Sequence, residues 1–96
     1  MIKSSVLVGI DLHCDYRDSD FNYRVYVNDE LFSERTWIWD GNYYLEENIQ
    51  IEAPAGEYPI KVTVHGAPSS VLRVENIRVL EGHDVSQLLN NTLTIF

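Results

Sequence analysis

The sequence predicts an all-β protein: an antiparallel β-sandwich, jelly-roll or immunoglobulin-like, with about eight short strands in one domain over residues 1–96. The composition favours strands, because Val, Ile, Thr, Tyr, Phe and Trp make up 33 of the 96 residues while Ala contributes 3, Lys 2 and Met 1. Apolar and polar residues alternate in short runs, and turn-forming residues separate one run from the next. A chain of 96 residues has the length of a single domain.

The first three strands are predicted from alternation. Residues 6–13 place Val, Val, Ile and Leu at every second position, and a polar loop follows at 15–20. Residues 22–28 alternate in the same way. Asn28-Asp29-Glu30 is typical of a tight hairpin turn, so residues 31–39 are expected to return as the partner strand.

Two further strands are bounded by clear turns. Asp40-Gly41-Asn42 precedes residues 43–53, in which isoleucines alternate with polar side chains. Pro54-Ala55-Gly56-Glu57 leads into residues 58–65, where Ile, Val and Val are predicted to face inward.

The last third of the chain is less regular. Within residues 70–81 the alternation of apolar and polar residues changes phase near Glu75-Asn76. A β-bulge or a crossing between sheets is therefore needed to bring both apolar pairs, 72 with 74 and 77 with 79, to the inside. Asp84 is a suitable cap for one helical turn extending to Leu89. Residues 92–96 form a final, apolar strand.

The charge distribution excludes several partners. The chain has 15 acidic and 7 basic residues, a net charge of −8, and residues 11–57 hold 12 of the acids with three arginines. Such a surface repels phosphate, so nucleic acid and anionic membranes are not expected partners. A solvated acidic face that favours solubility is one interpretation, and a mimic of nucleic-acid charge is another.

No targeting signal is predicted. The apolar run near the N-terminus is interrupted by Gly9 and ended by Asp11, and no run approaches the roughly 20 apolar residues of a membrane span. We therefore expect neither a signal peptide nor a transmembrane segment. Cys14 is the single cysteine, so an intramolecular disulfide is impossible.

The sequence predicts no enzyme and no catalytic residue. The serines lie in no nucleophile-elbow motif, the histidines at 13, 65 and 83 are scattered, and neither a phosphate-binding glycine loop nor zinc-ligand spacing is present. No cofactor is predicted, with calcium as the one exception.

The calcium hypothesis rests on the acidic loop. Asp18, Asp20 and Asn22 reproduce the opening of a calcium-loop pattern, but Tyr23 stands where that pattern requires glycine. A sandwich loop could still use Asp15, Asp18 and Asp20 with a backbone carbonyl. The alternative is a plain hydrated loop.

Four aromatic residues lie close together in the sequence and form a second candidate site, called the aromatic group below. Trp37 and Trp39 are two residues apart on one predicted strand, and Tyr43 and Tyr44 follow across the next turn. Three interpretations are open: exposed rings that stack on sugars, the core of a small sandwich, or an anchor in a protein interface.

Three segments carry a resemblance to known proteins: Tyr23-Arg24-Val25-Tyr26-Val27-Asn28-Asp29-Glu30-Leu31-Phe32, Arg35-Thr36-Trp37-Ile38-Trp39 and Ile51-Glu52-Ala53-Pro54-Ala55-Gly56-Glu57-Tyr58. They resemble carbohydrate-binding-module-like β-sandwiches and, more closely, small β-proteins of tailed phages, particularly those that infect cyanobacteria. The resemblance covers roughly residues 20–81. It implies a virion component, assembled in the host cytoplasm, that decorates a capsid or belongs to a tail or fibre.

Two functions follow as expectations. The first is a non-enzymatic structural protein that contacts other virion proteins in a multi-copy or homo-oligomeric assembly, with Thr92, Leu93, Thr94, Ile95 and Phe96 as an edge strand that pairs with a neighbour. The alternative is a carbohydrate-binding module that uses the aromatic group, aided by calcium at the acidic loop.

Overall fold

Eight strands and one short 3-10 helix form the fold in the computed structural model, which describes residues 2–16, 20–38 and 41–96. The strands are β1 (Ser4–Cys14), β2 (Asn22–Val27), β3 (Glu30–Thr36), β4 (Tyr43–Ala53), β5 (Gly56–His65), β6 (Leu72–Glu81), β7 (Ser86–Leu89) and β8 (Thr92–Ile95), and the 3-10 helix covers Ser69–Val71. Within these residues no helix is long and apolar enough to cross a membrane.

The strands build two antiparallel sheets. One has three strands in the order β4-β1-β6, and the other has five in the order β3-β2-β5-β8-β7. The predicted all-β class and the antiparallel sandwich are confirmed. The predicted bounds of β4, residues 43–53, agree with the structure at both ends.

The core lies between the sheets and follows the predicted alternation. In β1, Val6, Val8, Ile10 and Leu12 are fully buried, as the period of two requires. The other buried apolar side chains are Cys14, Phe21, Tyr23, Val25, Val27, Trp37, Ile49, Ile51, Ala53, Ile60, Val71, Leu72, Leu93 and Ile95. Burial of each large apolar side chain favours folding by about 1.5–3 kcal/mol, so this one layer stabilises a chain that has no disulfide.

The apolar alternation in β6 changes phase at a β-bulge, which is one of the two arrangements that the sequence predicts. The register between β1 and β6 shifts between Gly9 and Asp11, where Asn76 adopts a positive φ of 50°. Ile77 and Val79 pack against the core. Val74 is 39 % exposed, so only part of the predicted inward set is covered, because β6 is an edge strand.

The helical turn predicted from Asp84 to Leu89 is wrong. Ser86–Leu89 is strand β7, and it forms a hairpin with β8 across Asn90 and Asn91. Both asparagines have positive φ, 51° and 61°, and a two-residue turn of that kind matches the right-handed twist of paired strands.

The predicted exposed edge at residues 92–96 is also wrong. β8 lies between β5 and β7 and pairs with both. Leu93 and Ile95 are buried in the core, and only Phe96, which follows the strand, is largely exposed. The apolar character of this segment reflects its central place in a sheet.

Candidate functional site

Trp37 belongs to the core and not to an exposed aromatic platform. β3 ends at Thr36, so Trp37 turns into the interior, where it is fully buried. Its ring stacks on Phe21 with centroids 5.8 Å apart and meets the rings of Tyr23 and Tyr43 edge-on at 6.0 and 6.2 Å. Trp39 lies outside the described residues.

Tyr43 and Tyr44 point to opposite faces of the three-stranded sheet. Tyr43 pairs with buried Cys14 and reaches Trp37 on the inner side, whereas Tyr44 pairs with His13 on the outer side. The ring of Tyr44 is 54 % exposed. The predicted aromatic group is therefore divided between the core and the surface.

A polar network centred on Asp11 covers the outer face of the three-stranded sheet. The Asp11 carboxylate accepts hydrogen bonds from Arg78 Nη1 at 2.9 Å and Asn76 Nδ2 at 3.2 Å, and Arg78 also binds Glu46. A hydrogen bond from Tyr44, followed by those from Arg78 and Asn76, lowers the pKa of Asp11. Asp11 is thus an ionised carboxylate that holds three strands together.

Glycine at position 9 makes room for this network. A Cβ on Gly9 would lie 3.0 Å from Leu80 Cδ1 and 3.3 Å from Arg78 Cζ. A side chain at this position would require the Leu80 side chain and the Arg78 guanidinium to shift from their present places across β1.

The acidic loop gives Asp15 an arginine partner. Arg73 approaches Asp15 with Nε and Nη2, the latter at 2.8 Å, and His13 Nδ1 lies 3.0 Å from the same carboxylate. The hydrogen bonds from Arg73 lower the pKa of Asp15. Asp20 is exposed, and Asp18 lies outside the described residues. The part of the chain that the structure describes holds no group of three or more His, Cys, Asp or Glu placed to bind a metal.

A buried ionic group between the sheets was missed from the sequence. Glu47 is 5 % exposed; it accepts a 2.8 Å hydrogen bond from the Tyr23 hydroxyl and lies 3.3 Å from Arg35 Nε. Burial, and then the bond to Glu47, raise the pKa of Tyr23 well above its ordinary value. The signal was available, because Glu47 shares its parity with Ile49 and Ile51 and so points inward.

Among the described strands, β4 has the most regular open edge. β4 pairs with β1 without interruption, from the pair of Ser4 and Ala53 to the pair of Cys14 and Tyr43. No described strand pairs with the other side of β4. The other outer strands of the two sheets are less regular: the β1–β6 ladder has two register shifts, the β2–β3 ladder has one, and β7 has 4 residues. β4 therefore presents a long row of backbone donors and acceptors at the side of a sheet.

β3 is left uncovered beside this edge. β4 lies over β2, as the contact between Glu47 and Tyr23 shows, and β3 is the next strand outward in the five-stranded sheet. None of the seven residues of β3 is buried, although alternate residues of β2 are. A strip of the larger sheet thus has no covering layer.

A groove lies between the two edges. It has a volume of about 240 Å³ and is lined by Val27, Asn28, Glu30, Leu31, Phe32, Ile51, Glu52, Ala53 and Tyr58. Its floor of Ile51 and Ala53 is buried, and its wall includes Leu31 and Phe32, which are 56 % and 44 % exposed. Both charged residues in the lining are acidic.

This arrangement offers free backbone groups along β4 and, at one end of that edge, a groove lined by apolar residues and two carboxylates. Such a combination is suited to holding an extended chain, because main-chain hydrogen bonds supply affinity and pockets for alternate side chains supply specificity. No protein-family model, curated protein or solved structure matches this chain.

Proposed function

We propose that the chain is a non-enzymatic binding domain that acts through protein–protein contacts, as a structural component of a phage particle in its capsid decoration, tail or fibre. The observation that carries this proposal is the uninterrupted edge of β4 beside the uncovered strand β3. The phage assignment is supported by the resemblance of the three segments within residues 20–81.

The edge supports binding because an unpaired strand of this length is normally protected. Proteins shield exposed edges with bulges, prolines, inward charges or short strands. The 11 residues of β4 contain neither proline nor glycine and carry no register shift. The inward charge of this strand, Glu47, is bound by Tyr23 and Arg35. A partner strand would pair with the free backbone groups and extend the three-stranded sheet over β3.

The first test is sedimentation of the native protein from its own source, with mass spectrometry of each fraction. We expect recovery in a fast-sedimenting particle at fixed stoichiometry. Recovery only as a small free species would contradict the particle assignment.

Hydrogen exchange then tests the edge. Amides of residues 43–53 should exchange more slowly in the assembly than in the free chain, because the β4 edge gains a hydrogen-bonded partner. Residues 86–89, on the opposite side of the sandwich, provide the internal comparison and should not change. Equal exchange of residues 43–53 in both states would remove β4 from the interface.

Carbohydrate binding is a second candidate, and the position of Tyr44 favours it. Its exposed ring lies on the outer face of the three-stranded sheet beside Asp11, Arg78 and Glu46, so an aromatic surface adjoins charged hydrogen-bonding groups. Oligosaccharide titration followed by NMR should shift the Tyr44 ring signals, and Tyr44→Ala should abolish binding. Tyr16→Ala, at another exposed tyrosine, is the control.

A further inference from the structure

We infer that β5 accepts a short extended segment of another protein, apolar at alternate positions and acidic beside Lys61, along the part of its edge that β8 leaves open. This second binding site goes beyond the proposed function, because it lies in the larger sheet and does not depend on the edge of β4. We call it the β5 slot and define it by Val62, Val64 and Val74.

The larger sheet is interrupted on one side of β5. β8 pairs with residues 56–59 of β5 only, and the turn at Asn90 and Asn91 ends that ladder. β2, on the other side, pairs with residues 60–65 of β5. Among the described residues, the second half of β5 therefore has a neighbouring strand on one side only.

Hydrogen-bond direction identifies the backbone groups that are open. The amide of Ile60 donates to the carbonyl of Asn91, on the β8 side of β5. Backbone groups of successive residues alternate between the two edges of a strand, so those of Val62 and Val64 point to the same side as Ile60. Within the described part of the chain, no backbone group bonds to these two valines on that side.

The inner face of β5 loses part of its cover where β8 ends. Val62 and Val64 face inward, since each is paired with a buried residue of β2. Both are nevertheless half-buried, whereas Ile60, at the end of the β8 ladder, is buried. The 3-10 helix lies beside β5 but forms no backbone hydrogen bond with the two valines.

Val74 is incompletely covered on the opposite sheet. It pairs with buried Leu12 and so faces inward, but it is 39 % exposed. Ile77 and Val79 line one cavity with Leu88, so the second half of β6 lies along β7. The first half of β6 continues past the turn that joins β7 to β8. Val74 therefore lies over the open part of the larger sheet, and a strand in the β5 slot would cover it.

Lys61 is the uncompensated charge beside the slot. It is exposed on the outer face of β5, opposite Tyr26, and forms no ion pair with the described residues. By contrast, Arg73 and Arg78 of β6 are bound by carboxylates. Side chains directly opposite on paired strands interact, so an acidic residue of the added segment is favoured opposite Lys61.

These contacts describe the segment. Pairing with the open backbone groups of Val62 and Val64 requires about five extended residues. Alternate side chains would face Val62, Val64 and Val74 and are expected to be apolar, because they would cover apolar surface. The side chains between them would lie on the outer face, where Lys61 favours a carboxylate.

Amide hydrogen exchange of the free chain tests the open edge without any ligand. The amides of Lys61, Thr63 and His65 point to β2 and should be protected, whereas those of Val62 and Val64 should exchange roughly tenfold faster or more. Equal protection of all five amides would show that the edge is already paired and would overturn the inference.

Two capped peptides of about seven residues then test the occupant. Valine alternates with aspartate in one and with lysine in the other. The aspartate peptide should slow exchange at Val62 and Val64 and leave residues 43–53 unchanged. Lys61→Glu should weaken its binding, followed by NMR titration, roughly two- to fivefold. Lys3→Glu, at the other lysine of the chain, makes the same charge change before β1 and should leave binding unchanged. Equal or tighter binding of the lysine peptide would overturn the inference.

The outcomes separate this inference from the proposed function. If the peptide protects residues 43–53 and not the two valines, it uses the β4 edge, which supports the proposed function and overturns the inference. If the free chain forms a dimer in which Val62 and Val64 are protected, the occupant is a second copy, which also overturns it. Protection of the two valines by the aspartate peptide, without recovery of the protein in a particle, would support the inference and contradict the particle assignment.

Discussion

The hydroxyl of Tyr23 donates a 2.8 Å hydrogen bond to the buried carboxylate of Glu47 and so joins β2 to β4 across the interior of the sandwich. Arg35 reaches the other oxygen of that carboxylate from the exposed strand β3. A buried carboxylate is costly unless its oxygens are paired, so this group fixes where β4 lies on the larger sheet.

Tyr23→Phe should destabilise the fold by about 1–3 kcal/mol, because it leaves one oxygen of a buried carboxylate without its donor. Urea unfolding monitored by circular dichroism measures the loss. Tyr16→Phe, at an exposed tyrosine, should change stability by less than about 0.5 kcal/mol. The cost of Tyr23→Phe should shrink in a Glu47→Gln background, and an unchanged cost there would contradict a direct interaction.

Asp11→Asn should flatten the acid side of the stability profile. The pKa of Asp11 is lower in the folded chain than its ordinary value, so its contribution is present above that ordinary value, about 4, and is lost as the pH falls through the folded pKa. Tyr44→Phe should remove part of the same dependence, since the Tyr44 hydroxyl is the largest cause of the shift. Unfolding free energies measured from neutral pH to pH 2 test both variants. Asp84→Asn, in an exposed loop, should keep the wild-type profile.

A chain in which Trp37 is the only tryptophan should fluoresce as a buried indole. Trp39→Phe provides that chain without altering Trp37. Its emission should be blue-shifted, poorly quenched by acrylamide and unchanged by oligosaccharide, because Trp37 is fully buried against Phe21. Red-shifted emission that responds to sugar would contradict the core position.

Removal of residues 92–96 should abolish cooperative unfolding, because β8 joins β5 to β7 and supplies two core side chains. Leu93→Ala alone should cost about 2–5 kcal/mol. Phe96→Ser keeps the backbone bond from Phe96 N to Val85 O and should be nearly neutral. A truncated chain that still unfolds cooperatively would show that β8 is dispensable.

The strands that were predicted well are those in which local pattern and tertiary role agree. β4 alternates between core and surface and ends at turn residues, so both of its bounds were correct. β7 was mistaken for a helical turn, because Asp84 is a good cap and Leu88-Leu89 fits either structure. The positive φ of Asn90 and Asn91 shows that the Asn-Asn pair was the better signal.

The features that escaped prediction depend on contacts between distant parts of the chain. Strand order depends on which distant strands pair with each other. A local pattern does not show these pairings, so residues 92–96 were expected at an edge although β8 lies inside a sheet. The end of β3 at Thr36 removed Trp37 from the face it was expected to share with Trp39. The uncovered strip on β3 depends on the unequal widths of the two sheets, which no local pattern encodes.

β6 is an irregular edge strand. Its ladder with β1 shifts twice and bends at Asn76, and the neighbouring edge strand β7 is 4 residues long. That side of the sandwich therefore offers a poor template, whereas the β4 side offers a good one. If β4 receives a partner strand as proposed, the irregular β6 edge on the other side of the same sheet disfavours a second addition, and growth into a fibril by repeated edge pairing of this chain is disfavoured with it.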